Sequence, residues 1–283
     1  GGCKQQDLSY EMQLHYKQNQ VEEIFKNIAG LKMVNSEKII QAENVYHYRN
    51  KMEFSFSDLR WLSRDDLESK QKVERNFALG FHIPKIYDKV LDIEECYLQT
   101  DLSNKILNFT RDFFKSKNIS PYSQKTHKGF LRNLVIRQAL HTNDLMINLV
   151  TYDDESELIQ DYTKNLISRF PEVTTVVNNI NKKLSSVSIG DYQKVIYGSG
   201  FIYDNIGKYK FRISSNSFFQ TNTQQAEKLY QVAVDFAEFK GDEIVYDLYS
   251  GAGTITLFIS DFVKELFAFE SVKSAVEEAE FNA

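Results

Sequence analysis

The sequence predicts an α/β protein in which an α+β region is followed by the opening of a doubly wound parallel sheet. Three observations carry this expectation. Alternating apolar and polar runs recur through residues 45–96 and 131–213. The C-terminal quarter changes to a strand–helix–strand–helix order, with the glycine-bearing turn Ser250-Gly251-Ala252-Gly253-Thr254 between its first strand and helix. The chain has 283 residues, enough for two domains at about 100–200 residues each.

Residues 8–29 read as a helix that Ser9 can cap, with Tyr10, Leu14, Val21, Ile24 and Phe25 near helical spacing. Residues 51–56, 77–81 and 89–93 alternate as strands do. The polar piece 57–76 reads as a hairpin loop. Residues 101–117 and 154–170 read as helices, and 131–139 and 145–152 as two strands joined across residues 141–144. Further strands are expected at 173–178, 193–197, 200–203 and 208–213, with Gly198, Gly200 and Gly207 at turns. Asn222 opens a helix with Gln225 placed for a capping box; Ala226, Leu229, Tyr230, Ala233 and Phe236 form its apolar stripe. Residues 243–249 and 265–269 are short apolar strands. Residues 254–262 and 271–283 are helical, the last with Val272, Ala275, Val276 and Ala279 on one side.

Composition excludes several classes. At 42% hydrophobic and 26% charged the chain is neither disordered nor fibrous. No apolar run approaches the roughly 18 residues of a membrane helix, so no membrane partner is expected. No charged-then-apolar leader precedes Leu8, and the start lacks Met, as in a fragment or processed product. Two cysteines, Cys3 and Cys96, are too few for a disulfide framework and suit a reducing compartment, the cytoplasm. The net charge is −5, yet residues 102–143 hold eight cations, Lys125, Lys128, Arg132 and Arg137 among them, against the single acid Asp112. Phe109, Phe113, Phe114, Tyr122 and Phe130 are interleaved with them. Cations with stacking rings suit single-stranded nucleic acid, and a solvated amphipathic helix fits the pattern equally well.

The glycine pair Gly251 and Gly253 lets a ligand approach bare backbone, and Glu270, at the end of the next strand, can accept hydrogen bonds from a ribose diol. Their separation of 19 residues is close to that of nucleotide-binding βαβ units. The third glycine of a dinucleotide fingerprint is replaced by Thr256. A pyrophosphate would need the closest backbone approach, so the loop leans toward a phosphate-free adenosine ligand such as S-adenosylmethionine.

These residues carry a resemblance. The runs 216–222, 226–230 and 247–255, then Phe269-Glu270 with Ala275-Val276 and Asn282-Ala283, resemble the RNA (uracil-5-)-methyltransferases that act on ribosomal or transfer RNA. Upstream, Gly1-Gly2-Cys3, Leu8-Ser9-Tyr10-Glu11, Arg49-Asn50-Lys51-Met52-Glu53-Phe54, Gly80-Phe81-His82, Asp92-Ile93-Glu94-Glu95-Cys96 and the run 131–137 are similar to the same family. The resemblance implies a Rossmann-like S-adenosylmethionine-dependent methyltransferase domain, incomplete here, behind an α+β RNA-recognition domain. It implies three parts: residues 1–35, the end of an iron–sulfur segment with its helix; 36–205, the RNA-recognition domain; and 206–283, the first part of the methyltransferase domain. It assigns Gln220, Tyr249 and Glu270 to the cofactor, with Gly251, Gly253 and Thr254 in the cofactor loop. Cys3 and Cys96 would be two of four thiolates on a [4Fe–4S] cluster of the intact protein. Lys125, Lys128, Arg132 and Arg137 would face RNA.

The departures are as specific. Relatives of this kind start earlier, with an RNA-binding barrel and two more cysteines. They also continue further, to a nucleophilic cysteine, a general base and a third cofactor acid. The chain is thus expected to be a fragment truncated at both ends, to hold no catalytic residue and to be inactive alone. The intact protein would be a monomeric enzyme that methylates C5 of a uridine, in ribosomal ahead of transfer RNA. The rival expectations are a non-catalytic RNA-binding module and a methyltransferase acting on another substrate.

Overall fold

The computed structural model describes residues 3–31, 36–68, 73–184, 188 and 190–283. The chain divides into two compact units, residues 1–46 and 47–283. In the first, helix α1 (Tyr10–Asn27) starts where the Ser9 hydroxyl accepts from the Met12 amide at 3.3 Å. None of its side chains is buried within the described residues.

The second unit is built on an eight-stranded mixed sheet. Strands β1 (Lys51–Ser57), β2 (Arg60–Trp61), β3 (Ala78–His82), β4 (Val90–Asp92), β5 (Leu131–Gln138), β6 (Leu145–Thr151), β7 (Thr175–Ile180) and β8 (Tyr192–Tyr197) lie in the order β2-β4-β3-β1-β5-β6-β7-β8. The β6–β7 pair is parallel and crosses over through helix α4 (Ser156–Arg169), because parallel neighbours need a long connection. Gly80 lies opposite Asp92, where a Cβ would stand 2.0 Å from the Leu91 carbonyl; only glycine permits that approach.

The piece expected to be a hairpin loop is partly folded. β2 pairs with β4, and helix α2 (Arg64–Glu68) starts where the Asp66 carboxylate accepts from the Ser63 amide at 2.9 Å. Residues 69–72 of that piece lie outside the described residues.

Helix α3 (Asp101–Ser116) and α4 cover one face of the sheet. Alternation sends Met52, Phe54 and Phe56 of β1, and Leu134 and Ile136 of β5, into a core shared with Ile106, Leu107, Phe114, Ile159, Tyr162 and Leu166. The aromatics of the basic stretch are spent here. Phe114 and Tyr122 are buried, and Phe109, Phe113 and Phe130 pack against the core. Helical period places the α3 rings on its apolar side, which removes them as stacking platforms for a nucleic acid.

Strands β9 (Phe201–Ile206) and β10 (Tyr209–Ser214) form an antiparallel hairpin at Gly207. With helices α5 (Thr223–Ala237) and α6 (Thr254–Ile259) they close a second core around Met146, Ile202, Phe211, Phe219 and Tyr230. The α5 face that packs is Thr223, Ala226, Tyr230 and Val234, while Leu229 and Phe236 are exposed, so the stripe is rotated from the expected one. The Asn222 side chain accepts from the Gln225 amide at 3.1 Å. The buried side-chain Oε1 of Gln225 has no partner among the described residues, so only half of the capping box forms.

Strands β11 (Ile244–Leu248) and β12 (Glu265–Phe269) then pair in parallel, from Ile244↔Glu265 to Leu248↔Phe269, on either side of α6. Helix α7 (Lys273–Asn282) follows β12. The architecture is a Rossmann-like α/β opening behind a mixed-sheet α/β domain. Among the described residues no helix is long and apolar enough to cross a membrane.

Candidate functional site

The turn after β11 is held by the end of β12. The Tyr249 and Ser250 amides both donate to the Phe269 carbonyl, at 2.9 and 3.0 Å, and Gly253 N donates to the Ser250 carbonyl at 3.0 Å. Tyr249, Gly251 and Gly253 all have positive φ, at 69°, 57° and 76°. A Cβ on Gly251 would meet nothing within 4 Å, so that glycine is required by backbone conformation, not by a crowded neighbour. Tyr249 pays for no packing in return, since it is 90% exposed beside the turn.

Glu270 closes this turn. Its Oε2 accepts from Gly251 N at 3.0 Å, and its Oε1 accepts from the Ser271 and Val272 amides at 2.7 and 2.8 Å. These amide donors, Val272 first and then Gly251, hold the carboxyl below its ordinary value. An ionised carboxylate accepts about four hydrogen bonds, so Oε2 keeps capacity for a further donor.

Gln220 and Thr254 meet through a residue that sequence reasoning used only as a packing position. The buried Tyr230 hydroxyl bonds Thr254 Oγ1 at 2.8 Å and also bonds the Gln220 side chain. Gln220 is anchored from the other side as well. Asn50 Nδ2 donates to the Gln220 carbonyl at 2.8 Å and to Thr223 Oγ1 at 2.9 Å. Asp204, fully buried, accepts from the Leu140 and His141 amides and from the Thr223 hydroxyl. The alternation of β9 signals Asp204, an acid placed inward between Ile202 and Ile206.

Beside this segment lies a cleft of about 150 Å³ lined by Arg49, Lys51, Glu53, Arg137, Ser217, Phe218, Phe219 and Thr221. Lys51 and Arg137 are direct cross-strand partners, an unfavourable pairing of like charges. Burial, and then Arg137, lowers the Lys51 pKa. Arg137 is 3% exposed, and burial pushes its pKa down to about 10. Its Nη2 donates to the Ser217 carbonyl at 2.7 Å, while its buried Nη1 has no hydrogen-bond partner among the described residues. The Phe218 ring is 69% exposed at the rim. Surplus cations, an unsatisfied donor and an open ring together suit a polar, electron-rich ligand.

The other expected RNA residues stand apart from this cleft. Arg132 is 4% exposed, stacks over Tyr122 at 4.5 Å and donates to the Asn181 and Lys183 carbonyls at 2.8 and 2.6 Å. Lys125 and Lys128 are exposed, and Lys125 pairs with Asp88 at 2.7 Å.

The expected metal centre is corrected. Among the described residues no group of three or more His, Cys, Asp or Glu side chains is placed to hold a metal. Cys3 and Cys96 are both free thiols, the first exposed and the second packed against the main core. A [4Fe–4S] cluster takes four thiolates, and two do not supply that donor set. The iron–sulfur assignment of Cys3 and Cys96 is therefore withdrawn.

A glycine turn closed by a carboxylate lies at the carboxyl ends of a parallel strand pair, the edge where Rossmann-like sheets take their ligands. The model of the tRNA (uracil-5-)-methyltransferase family matches residues 140–283, and the chain belongs to that family. It is similar to an uncharacterized RNA methyltransferase of Chlorobaculum tepidum, 41% identical over all of this chain and 59% of the relative. Another, of Bacteroides thetaiotaomicron, is 39% identical over all of this chain and 63% of the relative. The chain thus spans about three fifths of the length of these relatives. Its fold is similar to that of Pyrococcus abyssi tRNA (uracil-54, C5)-methyltransferase, solved with S-adenosyl-L-homocysteine. The TM-score is 0.76 at 26% identity, over all of this chain and 61% of that one.

Proposed function

We propose that the whole protein transfers a methyl group from S-adenosylmethionine to C5 of a uridine in RNA, with ribosomal RNA ahead of transfer RNA as the substrate. The observation that carries this reading is the Glu270 carboxylate, ionised by amide donors at the mouth of the Gly251 turn, with acceptor capacity left on Oε2. A ribose diol is the donor this arrangement suits. Tyr249, Gly251, Gly253, Thr254 and Gln220 complete the donor site, and Tyr230 links the last two. The bound S-adenosyl-L-homocysteine of the Pyrococcus abyssi relative supports the same ligand here.

The cleft next to Gln220 is the place on this chain for an unstacked base. Phe218 offers a ring face, and Arg137 a positive charge in the cleft wall. Residues 36–205 carry RNA recognition and 206–283 the donor. Lys125 and Lys128 are exposed and able to meet phosphates, whereas Arg132 and Arg137 act from buried positions. The protein would work as a monomer in the cytoplasm, consistent with two free thiols.

C5 of uracil is too poor a nucleophile to attack a sulfonium methyl. A thiolate adding to C6 forms a C–S bond and moves the ring electrons onto C5, which attacks the methyl, breaking its bond to sulfur and releasing S-adenosyl-L-homocysteine. A base then removes the C5 proton and the thiolate leaves. In this reading neither Cys3 nor Cys96 is that nucleophile, and the chain supplies donor and RNA binding only.

Calorimetric titration of the chain with S-adenosyl-L-homocysteine tests the donor site. Glu270→Gln is expected to weaken binding about tenfold, the scale of one charge-assisted hydrogen bond. No binding by the wild-type chain, or equal binding by the variant, rejects the site.

A further inference from the structure

Glu278 lies on α7, the helix that follows the donor-site carboxylate, and it is a buried acid, 6% exposed. It accepts from the Ser214 amide at 2.9 Å and from the Ser217 hydroxyl. Ser217 Oγ also accepts from Ser214 N at 3.0 Å, and the Ser217 carbonyl accepts from Arg137 Nη2 at 2.7 Å. The turn 214–217 is therefore gripped between a carboxylate from the donor end and a guanidinium from the mixed sheet. Asn282, one turn further along α7, accepts from Arg212 N at 2.9 Å and donates to the Ala252 carbonyl at 3.3 Å. One helix thus touches the hairpin that leads to the cleft and the glycine turn that faces the donor.

Packing alone does not call for an acid at Glu278. Replacing a buried ionic contact with an apolar side chain is often neutral or stabilising, whereas removing one partner strands the other charge. Arg137 makes no ion pair with Glu278 among the described residues; the two meet through Ser217, and the Glu278 charge raises the Arg137 pKa that burial lowers.

We propose that Glu278 is a positioning residue for the RNA cleft: it fixes the 214–217 turn and, through the Ser217 carbonyl, holds the incompletely paired Arg137 guanidinium in the wall of the cleft. This rests on the cleft being the RNA site proposed above. It makes the geometry of RNA binding depend on a helix of the donor domain.

The test uses the full chain, with a uridine-containing RNA stem–loop and S-adenosyl-L-homocysteine as separate probes. Glu278→Gln is expected to weaken RNA binding about tenfold, within the range of coupled neighbours, and to leave homocysteine-product affinity unchanged. In an Arg137→Gln background the same change is expected to cost nothing further. Amide exchange across residues 212–219 is expected to speed up without any ligand. Ser217→Ala, which cuts the grip from the turn side, is expected to show the same selective loss. Wild-type RNA affinity in Glu278→Gln, equal losses for both probes, or a full additive loss on Arg137→Gln overturns the proposal and leaves the donor site standing. A wild-type chain that binds neither probe overturns both.

Discussion

Strands β6 and β11 are written in the same style and end in opposite states. Leu145–Thr151 (LMINLVT) is buried at every residue, lying between β5 and β7 with α3 and α4 across one face. Ile244–Leu248 (IVYDL) has no buried residue and, among the described residues, pairs with β12 alone, where Tyr246, Phe267 and Phe269 stack in the open. An apolar run states that a strand can be buried on both faces. Whether it is depends on the layers around it. The open pair carries the turn that binds the donor in our reading, and the closed sheet carries the cations of the cleft.

The comparison can be broken at its strongest point, the buried pair of Arg111 and Asp92. Arg111 Nε donates to Asp92 at 2.9 Å and Nη2 to the Leu79 carbonyl at 3.1 Å, both side chains being nearly inaccessible. Arg111→Ala is expected to cost about 3 kcal/mol in denaturant unfolding, because it leaves the buried Asp92 charge with only the Leu79 amide at 2.9 Å and the longer contact to Arg60 at 3.6 Å. A loss of the size seen at exposed pairs, under about 1 kcal/mol, would show the closed sheet to be looser than its packing implies.

A matched pair of truncations sharpens the contrast. Leu149→Ala in β6 is expected to cost about 2–5 kcal/mol, and Phe267→Ala in β12 to stay within about 0.5 kcal/mol. Equal costs in thermal melts would erase the distinction between the two strands.

The smallest expected effect is one of pH. The carboxyl of Glu270 is held below its ordinary 4.5 by amide donors, so the charged form persists as pH falls to that value. A group whose folded pKa is depressed keeps its contribution above the ordinary value and loses it as pH drops through the folded one. Homocysteine-product affinity is therefore expected to be level from neutral pH down to about 4.5 and to decline only below it. A decline that sets in between pH 6 and 5 would mean that Glu270 is not the group the ligand senses.

The sequence by itself determined the local elements and the glycine turn that Glu270 closes. Alternation and helical spacing placed most strands and helices within a few residues, and the glycine pair with Glu270 was legible because both features are local, a strand end and a positive-φ turn. Only the tertiary structure decided partners. Periodicity tells which face a residue takes, not which strand lies beside it, so the facing of Lys51 and Arg137 across 86 positions of chain had no sequence signal. The same reason hid the burial of Arg132 and Arg137 within a stretch that reads as a basic surface, the rotation of α5, and the grip of Glu278 on Ser214 and Ser217. A cation's role depends on the dielectric and the acceptors around it, and those arrive with the fold.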